Sequence, residues 1–96
     1  MEPPLFLGKR ELFYLHAISL EQFGGSAGIR DEGMIESALG AAQNTFFYAD
    51  GSRYEIAASY AYHLAEAQAF LDGNKRTAIS AALAFLKING IPAHPK

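Results

Sequence analysis

An acid, a glycine, an amide and two cations follow one another at Asp72, Gly73, Asn74, Lys75 and Arg76. The residues after them repeat with a helical period, so this run falls at a helix start. The first turn of a helix carries unpaired N–H groups and the positive end of the helix dipole, and it attracts anions. Gly73 lets a ligand approach the backbone with no Cβ in the way. Lys75 and Arg76 add positive charge, and an arginine grips phosphate through two donors. Asp72 is a hard oxygen ligand, suited to a Mg²⁺ ion that bridges phosphates. Together these types at this spacing describe a nucleotide phosphate site with a divalent cation. A plainer alternative stays open. Asp-Gly-Asn is an ordinary turn, and the two cations could be solvated charges. They stand at the end of the helix that the dipole makes unfavourable for cations, a conflict that a bound anion would relieve.

Four helical segments must position that run. Residues 9–23 form the first, with Phe13, His16, Ala17, Leu20 and Phe23 on one face. Gly24 and Gly25 end it, and a loop runs from Ser26 to Arg30. Asp31 is a suitable N-cap for a second helix over about 32–43, with Met34, Ile35, Ala38 and Leu39 as its buried stripe. Asn44 to Arg53 reads as irregular, with a turn at Gly51 and room for a short hairpin or flap. The third helix spans 54–69, with Ile56, Tyr60, Leu64 and Ala67 on one side. After the break at Leu71-Asp72-Gly73, the fourth runs from Asn74 to about Asn89. It is apolar nearly all round (Ala78, Ile79, Ala82, Leu83, Phe85, Leu86), as a helix with several neighbours would be. Gly90 and Pro92 stop it. The tail IPAHPK is too short for another element. No segment alternates over strand length, and there is no repeat, linker or low-complexity tract. The expected class is all-α, in a single domain over residues 1–96.

Composition narrows the function. Half of the 96 residues are apolar, enough for a core, although so short a chain is only marginally stable alone. A net charge of -2 gives no basic face for DNA or RNA. The absence of cysteine removes disulfides, thiolate metal sites and a thiol nucleophile, and it suits a reducing cytosol. The start, MEPPLFLGKRELF, lacks the basic and long apolar regions of a signal peptide. No stretch reaches the ~18 uninterrupted apolar residues of a membrane span. A cytoplasmic location is expected.

The stretch QAFLDGNKRTA, residues 68–78, resembles the signature of the Fic/Doc family. In members of the Doc ("death on curing") branch it runs H-x-F-x-D-(A/G)-N-K-R-T-A. Phe70, Asp72, Gly73, Asn74, Lys75, Arg76, Thr77 and Ala78 all match. FGGSAGIRDEGMIESAL (23–39) and AALAFLKING (81–90) also resemble the flanking Doc-like sequence, so the likeness covers about residues 5–91. It implies a Fic-like helical bundle around a central helix. It further implies ATP and Mg²⁺ as cofactors, with Asp72 at the metal and Gly73, Asn74, Lys75 and Arg76 at the phosphates. The AMP-transferring branch resembles H-x-F-x-x-G-N-G-R-x-x-R instead. Here Lys75 replaces its glycine and Ile79 its second arginine, which favours Doc-like transfer of phosphate to a hydroxyl of a translation elongation factor. The implied setting is a toxin–antitoxin pair, with a Phd-type antitoxin as partner.

Two departures qualify this. The signature opens with a histidine that serves the family as general base, and this chain has Gln68 there. An imidazole titrates near neutral pH, whereas an amide only hydrogen-bonds. Loss of a positioned base costs about 10²–10⁴-fold in rate. Binding without efficient transfer is therefore expected. Gln68 could be engineered, could mark a natural inactive variant, or could coexist with a base supplied from elsewhere. His63 lies five residues earlier, about 140° around a helix, and reads better as a packed or partly exposed histidine. His16 reads as a satisfied core residue, and His94 lies in the tail. The second departure is that Doc-like proteins continue past the Asn-Gly at 89–90. The fold is thus expected to lack the C-terminal helices, exposing apolar surface that suits a partner or a homo-oligomer. Phe46, Phe47 and Tyr48 either form a flap or tuck into the core. Arg53 and Tyr54 are weaker candidates for the cleft. Thr77 reads as a first-turn helix residue rather than a Mg²⁺ ligand.

Overall fold

A computed structural model describes residues 2–92. They form four helices: α1 (Lys9–Phe23), α2 (Glu32–Phe47), α3 (Arg53–Ala67) and α4 (Asn74–Ile88). The all-α class is as the sequence implies, and no strand occurs among the described residues. α3 packs between α2 and α4, and α1 lies against α4 with a light touch on α2. His94 and the end of the tail lie outside the described residues.

The helix starts follow their capping chemistry. The Asp31 carboxylate accepts from the Met34 N–H at 3.2 Å. Ser52 and Glu55 form a reciprocal capping box at α3. The Glu11 carboxylate accepts from the Gly8 N–H at 2.7 Å at α1. Lys9 joins α1 to α2 through Glu32 (2.9 Å) and Glu36 (2.6 Å). These two carboxylates push the Lys9 pKa up to about 12.

α2 runs on to Phe47, so Asn44–Phe47 is helix and not the irregular segment or flap expected. Phe46 and Phe47 pack around Phe6, with ring centroids at 6.2 and 5.8 Å, and Tyr48 is exposed. The turn at Gly51 does form. Its N–H bonds to the Thr45 carbonyl, and a Cβ there would meet Thr45 at 2.6 Å. In α2 the buried stripe is Ile35, Ala38, Leu39 and Ala42, and Met34 is exposed. In α1 the buried residues are Leu12, His16 and Ser19 rather than the whole stripe expected. Ala17 and Phe23 face outward.

The core centres on Tyr60 and Phe85, both fully buried, with ring centroids 5.4 Å apart. An extended N-terminal strap closes over it. Leu7 donates its N–H to the Tyr60 hydroxyl at 2.9 Å. The Asn89 side chain accepts from Leu5 N–H (2.8 Å) and donates to the Leu5 carbonyl (3.0 Å), as a neighbouring strand would. α4 touches α3 and α1 but is not enclosed: Ile79, Leu83 and Ile88 are 40–53 % exposed. Ile88 borders a second, apolar hollow with Leu7, Tyr14, Leu15 and Ala84.

Candidate functional site

The segment between α3 and α4 is built to expose one helix start. α3 stops because Gln68 adopts the left-handed conformation (φ 51°, ψ 39°) and returns its amide Nε2 to the Ala65 carbonyl at 3.0 Å. The chain then runs extended. Arg30 and Asp31 donate to the Ala69 carbonyl, Leu71 donates to the Gly28 carbonyl, and Ile29 bridges Phe70. The loop after α1 thus pairs with the segment before α4. Asn74 locks the near end, accepting from Phe70 N–H and donating to Phe70 C=O, each at 2.9 Å. Its side chain is therefore committed to the loop, leaving its backbone N–H for a ligand.

Gly73 is the N-cap of α4, with φ 74°. α4 is the one helix start among the described residues with neither a side-chain cap nor an acid in its first turn. Thr77 is the first residue to bond back, to the Gly73 carbonyl. The N–H groups of Asn74, Lys75 and Arg76 accordingly remain unpaired at the positive pole of the helix. Asp72 stands beside them. Its carboxylate accepts from Gly73 N–H (3.0 Å) and from Ser26 N–H (3.2 Å). Gly25 makes that approach feasible, since a Cβ there would lie 2.8 Å from an Asp72 oxygen. The Arg76 guanidinium sits over the Phe23 ring, 4.3 Å from its centroid.

A hollow of about 540 Å³ gathers these groups, within the usual size of a small-molecule site. It is lined by Gln68, Leu71, Asp72, Gly73, Asn74, Lys75, Arg76 and Ile79. Every site residue expected from the sequence therefore meets on one surface. Triphosphate chemistry fits this lining, with an open helix N-terminus, two cations and one carboxylate. No cluster of three metal-binding side chains exists among the described residues, so a Mg²⁺ ion here would lean on Asp72, phosphate oxygens and water, its habitual ligands.

The other candidates lie elsewhere. His63 faces a separate small hollow with Met34, Ser37 and Glu66. His16 is buried, with Nε2 2.8 Å from the Asp72 carbonyl oxygen. Among the described residues no imidazole lines this hollow at the start of α4. Arg53 bonds to the Glu2 carbonyl at 3.3 Å, and neither it nor Tyr54 lines the hollow. Thr77 is buried in the first turn of α4. The sequence did not announce the contacts of His16, Ser26 and Phe23 with residues 72–76. The one available trace was the recurrence of 16, 20 and 23 on a single face of α1.

Helical architecture and an open helix start bearing this signature define a class, and the sequence profile of the Fic/DOC family matches residues 6–86. The chain belongs to the Fic/Doc family. Within it the similarity is to the Doc branch. The chain is 35% identical over 86 residues to the protein kinase Doc of Escherichia phage P1, covering 88% of this chain and 68% of that protein. It is 41% identical over 71 residues to the toxin Doc of Mycolicibacterium smegmatis, covering 72% of this chain and 55% of that one. The aligned part thus spans about two thirds of the first relative and just over half of the second.

Proposed function

We propose that this chain is a Doc-like toxin of a toxin–antitoxin pair, acting in the cytoplasm, whose phosphate hollow binds ATP with Mg²⁺. The reaction is transfer of the γ-phosphate to a hydroxyl of a translation elongation factor. The observation that carries the reading is the uncapped start of α4, where unpaired N–H groups, Lys75 and Arg76 face one hollow with Asp72. Similarity to a protein kinase Doc and a toxin Doc supports phosphate as the transferred group.

ATP supplies the phosphoryl group, and Mg²⁺ neutralises charge on its phosphates. The chain's own residues divide the remaining work. The N–H groups of residues 74–76 and the two cations hold the phosphates in place, and Asp72 anchors the metal. The attacking hydroxyl must lose a proton as its oxygen bonds to phosphorus and the bond to ADP breaks. Gln68 stands where that proton acceptor belongs, and an amide cannot take a proton near neutral pH. Transfer is therefore slow, by about 10²–10⁴-fold relative to a histidine at this position.

The same observation favours a second reading: a Fic-fold module that binds nucleotide and antitoxin without chemistry. The exposed Ile79 and Leu83 of α4 support a protein partner, which on this reading is a Phd-type antitoxin segment or a second copy of the chain.

One assay decides between them. The protein and its Gln68→His variant are incubated with Mg²⁺, cell lysate and ATP labelled at the γ- or the α-phosphate. Histidine is among the residues that tolerate left-handed backbone, so the variant should fold. Labelling of a protein band by the variant alone, from γ-labelled ATP, is the expected result. Label from the α-phosphate would replace kinase by AMP transfer, and no label with either protein would leave the binding module.

A further inference from the structure

We propose that His16 is a positioning residue for the phosphate loop: it holds the Asp72–Gly73 peptide so that the carbonyl points away from the anion site and the N–H towards it. The inference rests on the reading of residues 72–76 as a phosphate site.

The geometry is specific. His16 Nε2 lies 2.8 Å from the Asp72 carbonyl oxygen. A carbonyl only accepts, so Nε2 carries the proton. The same ring stacks on Phe70, with centroids 3.8 Å apart and planes 12° from parallel. One imidazole thus grips the loop at two residues, on either side of Leu71. In a trans peptide the C=O and the next N–H point in opposite directions. Pinning the Asp72 carbonyl towards α1 therefore turns the Gly73 N–H outward, where it meets the Asp72 carboxylate at 3.0 Å. A flip of this peptide would swing a carbonyl dipole towards the hollow and repel phosphate. Gly73 at φ 74° has the backbone freedom for such a flip; within the loop the Asp72 carboxylate holds only the N–H end of the peptide, and the orientation of its carbonyl end is set from outside the loop. His16 is the side chain that enforces it.

The rest of that face of α1 serves the same loop. Leu20 and Ser19 lie under Gly73, 3.6 and 3.7 Å from where a Cβ would stand. Phe23, one turn on, underlies the Arg76 guanidinium. Residues 16, 20 and 23 thus support 72, 73 and 76 in order.

Two variants separate the hydrogen bond from the packing. His16→Phe keeps a ring against Phe70 and removes the donor. His16→Gln returns an N–H near the Nε2 position. Amide exchange is followed by NMR on the whole chain. In His16→Phe the Gly73 amide should exchange roughly tenfold faster, the scale of one lost hydrogen bond, while core amides of α3 and α4 stay unchanged. His16→Gln should stay near the parent chain. Unchanged exchange at Gly73, or a rise shared equally by α3 and α4, overturns the proposal. Mg-ATP titration adds a second arm, in which His16→Phe should bind roughly tenfold more weakly; equal affinity also overturns it. A parent chain that binds no Mg-ATP removes the phosphate-site reading instead, and the Gly73 comparison still decides what His16 does.

Discussion

Position 68 shows how much one side chain can carry. Its backbone ends α3 in a left-handed turn, and its side chain borders the hollow at the start of α4. The identity of the residue was plain from the sequence; the turn was not. Tyr60 poses the reverse case, a buried side chain whose role is structural. Burial pushes its pKa up from the usual 10.0, the bond from Leu7 opposes that, and the charge of Glu11 adds to it. A raised folded-state pKa means the proton is held more tightly in the folded chain. The contribution is therefore fully present below pH 10 and is lost as pH climbs past it. Urea unfolding at rising pH should show stability falling from about pH 10 upward. Tyr60→Phe should flatten that fall, leaving the slope due to Lys9. At pH 7 the same variant should cost about 1–3 kcal/mol, because the Leu7 N–H loses its buried acceptor. An unaltered alkaline slope would show that Tyr60 is not its source.

At the scale of elements, α4 begins differently from its neighbours, and Gly73 is the reason. A Cβ there would find no contact closer than 3.6 Å, so space does not demand glycine. The φ of 74° does. Gly73→Ala should lower the unfolding free energy by about 1–2 kcal/mol, and Gly73→Asn by less, since asparagine tolerates this conformation. Denaturant titration of the two variants checks the order. The helices were largely legible because their signals are local. Asp31, Gly24 and Gly90 each act within a few residues of themselves. The end of α2 was misread because three consecutive aromatics carry no helical period. The ring that Phe46 packs against, Phe6, lies forty residues upstream. That residues 72–76 share one surface was legible for the same local reason, since the five adjoin in the chain. The role of α1 beneath it was not, because the partners of His16 lie 54 and 56 residues away.

At the scale of the molecule, the helices do not enclose one another completely. Ile79 and Leu83, one turn apart, leave a short apolar stripe on α4, which suits association with a second copy. Sedimentation equilibrium should show the average mass rising with protein concentration, and Leu83→Lys should return it to that of one chain. A single-chain mass at every concentration would remove self-association and leave the stripe to a different partner. No helix among the described residues is long and apolar enough to cross a membrane. The N-terminal strap has a consequence for the order of folding. Leu5 and Asn89 clasp each other across nearly the whole chain, and closing so long a span is entropically costly until the helices have drawn the two residues together. The clasp is thus a late event in assembly and an early one in unravelling. Its opening would uncover the Tyr60 hydroxyl while the α3–α4 packing still stands, so the first crack in this fold lies on the side of the core that the strap covers.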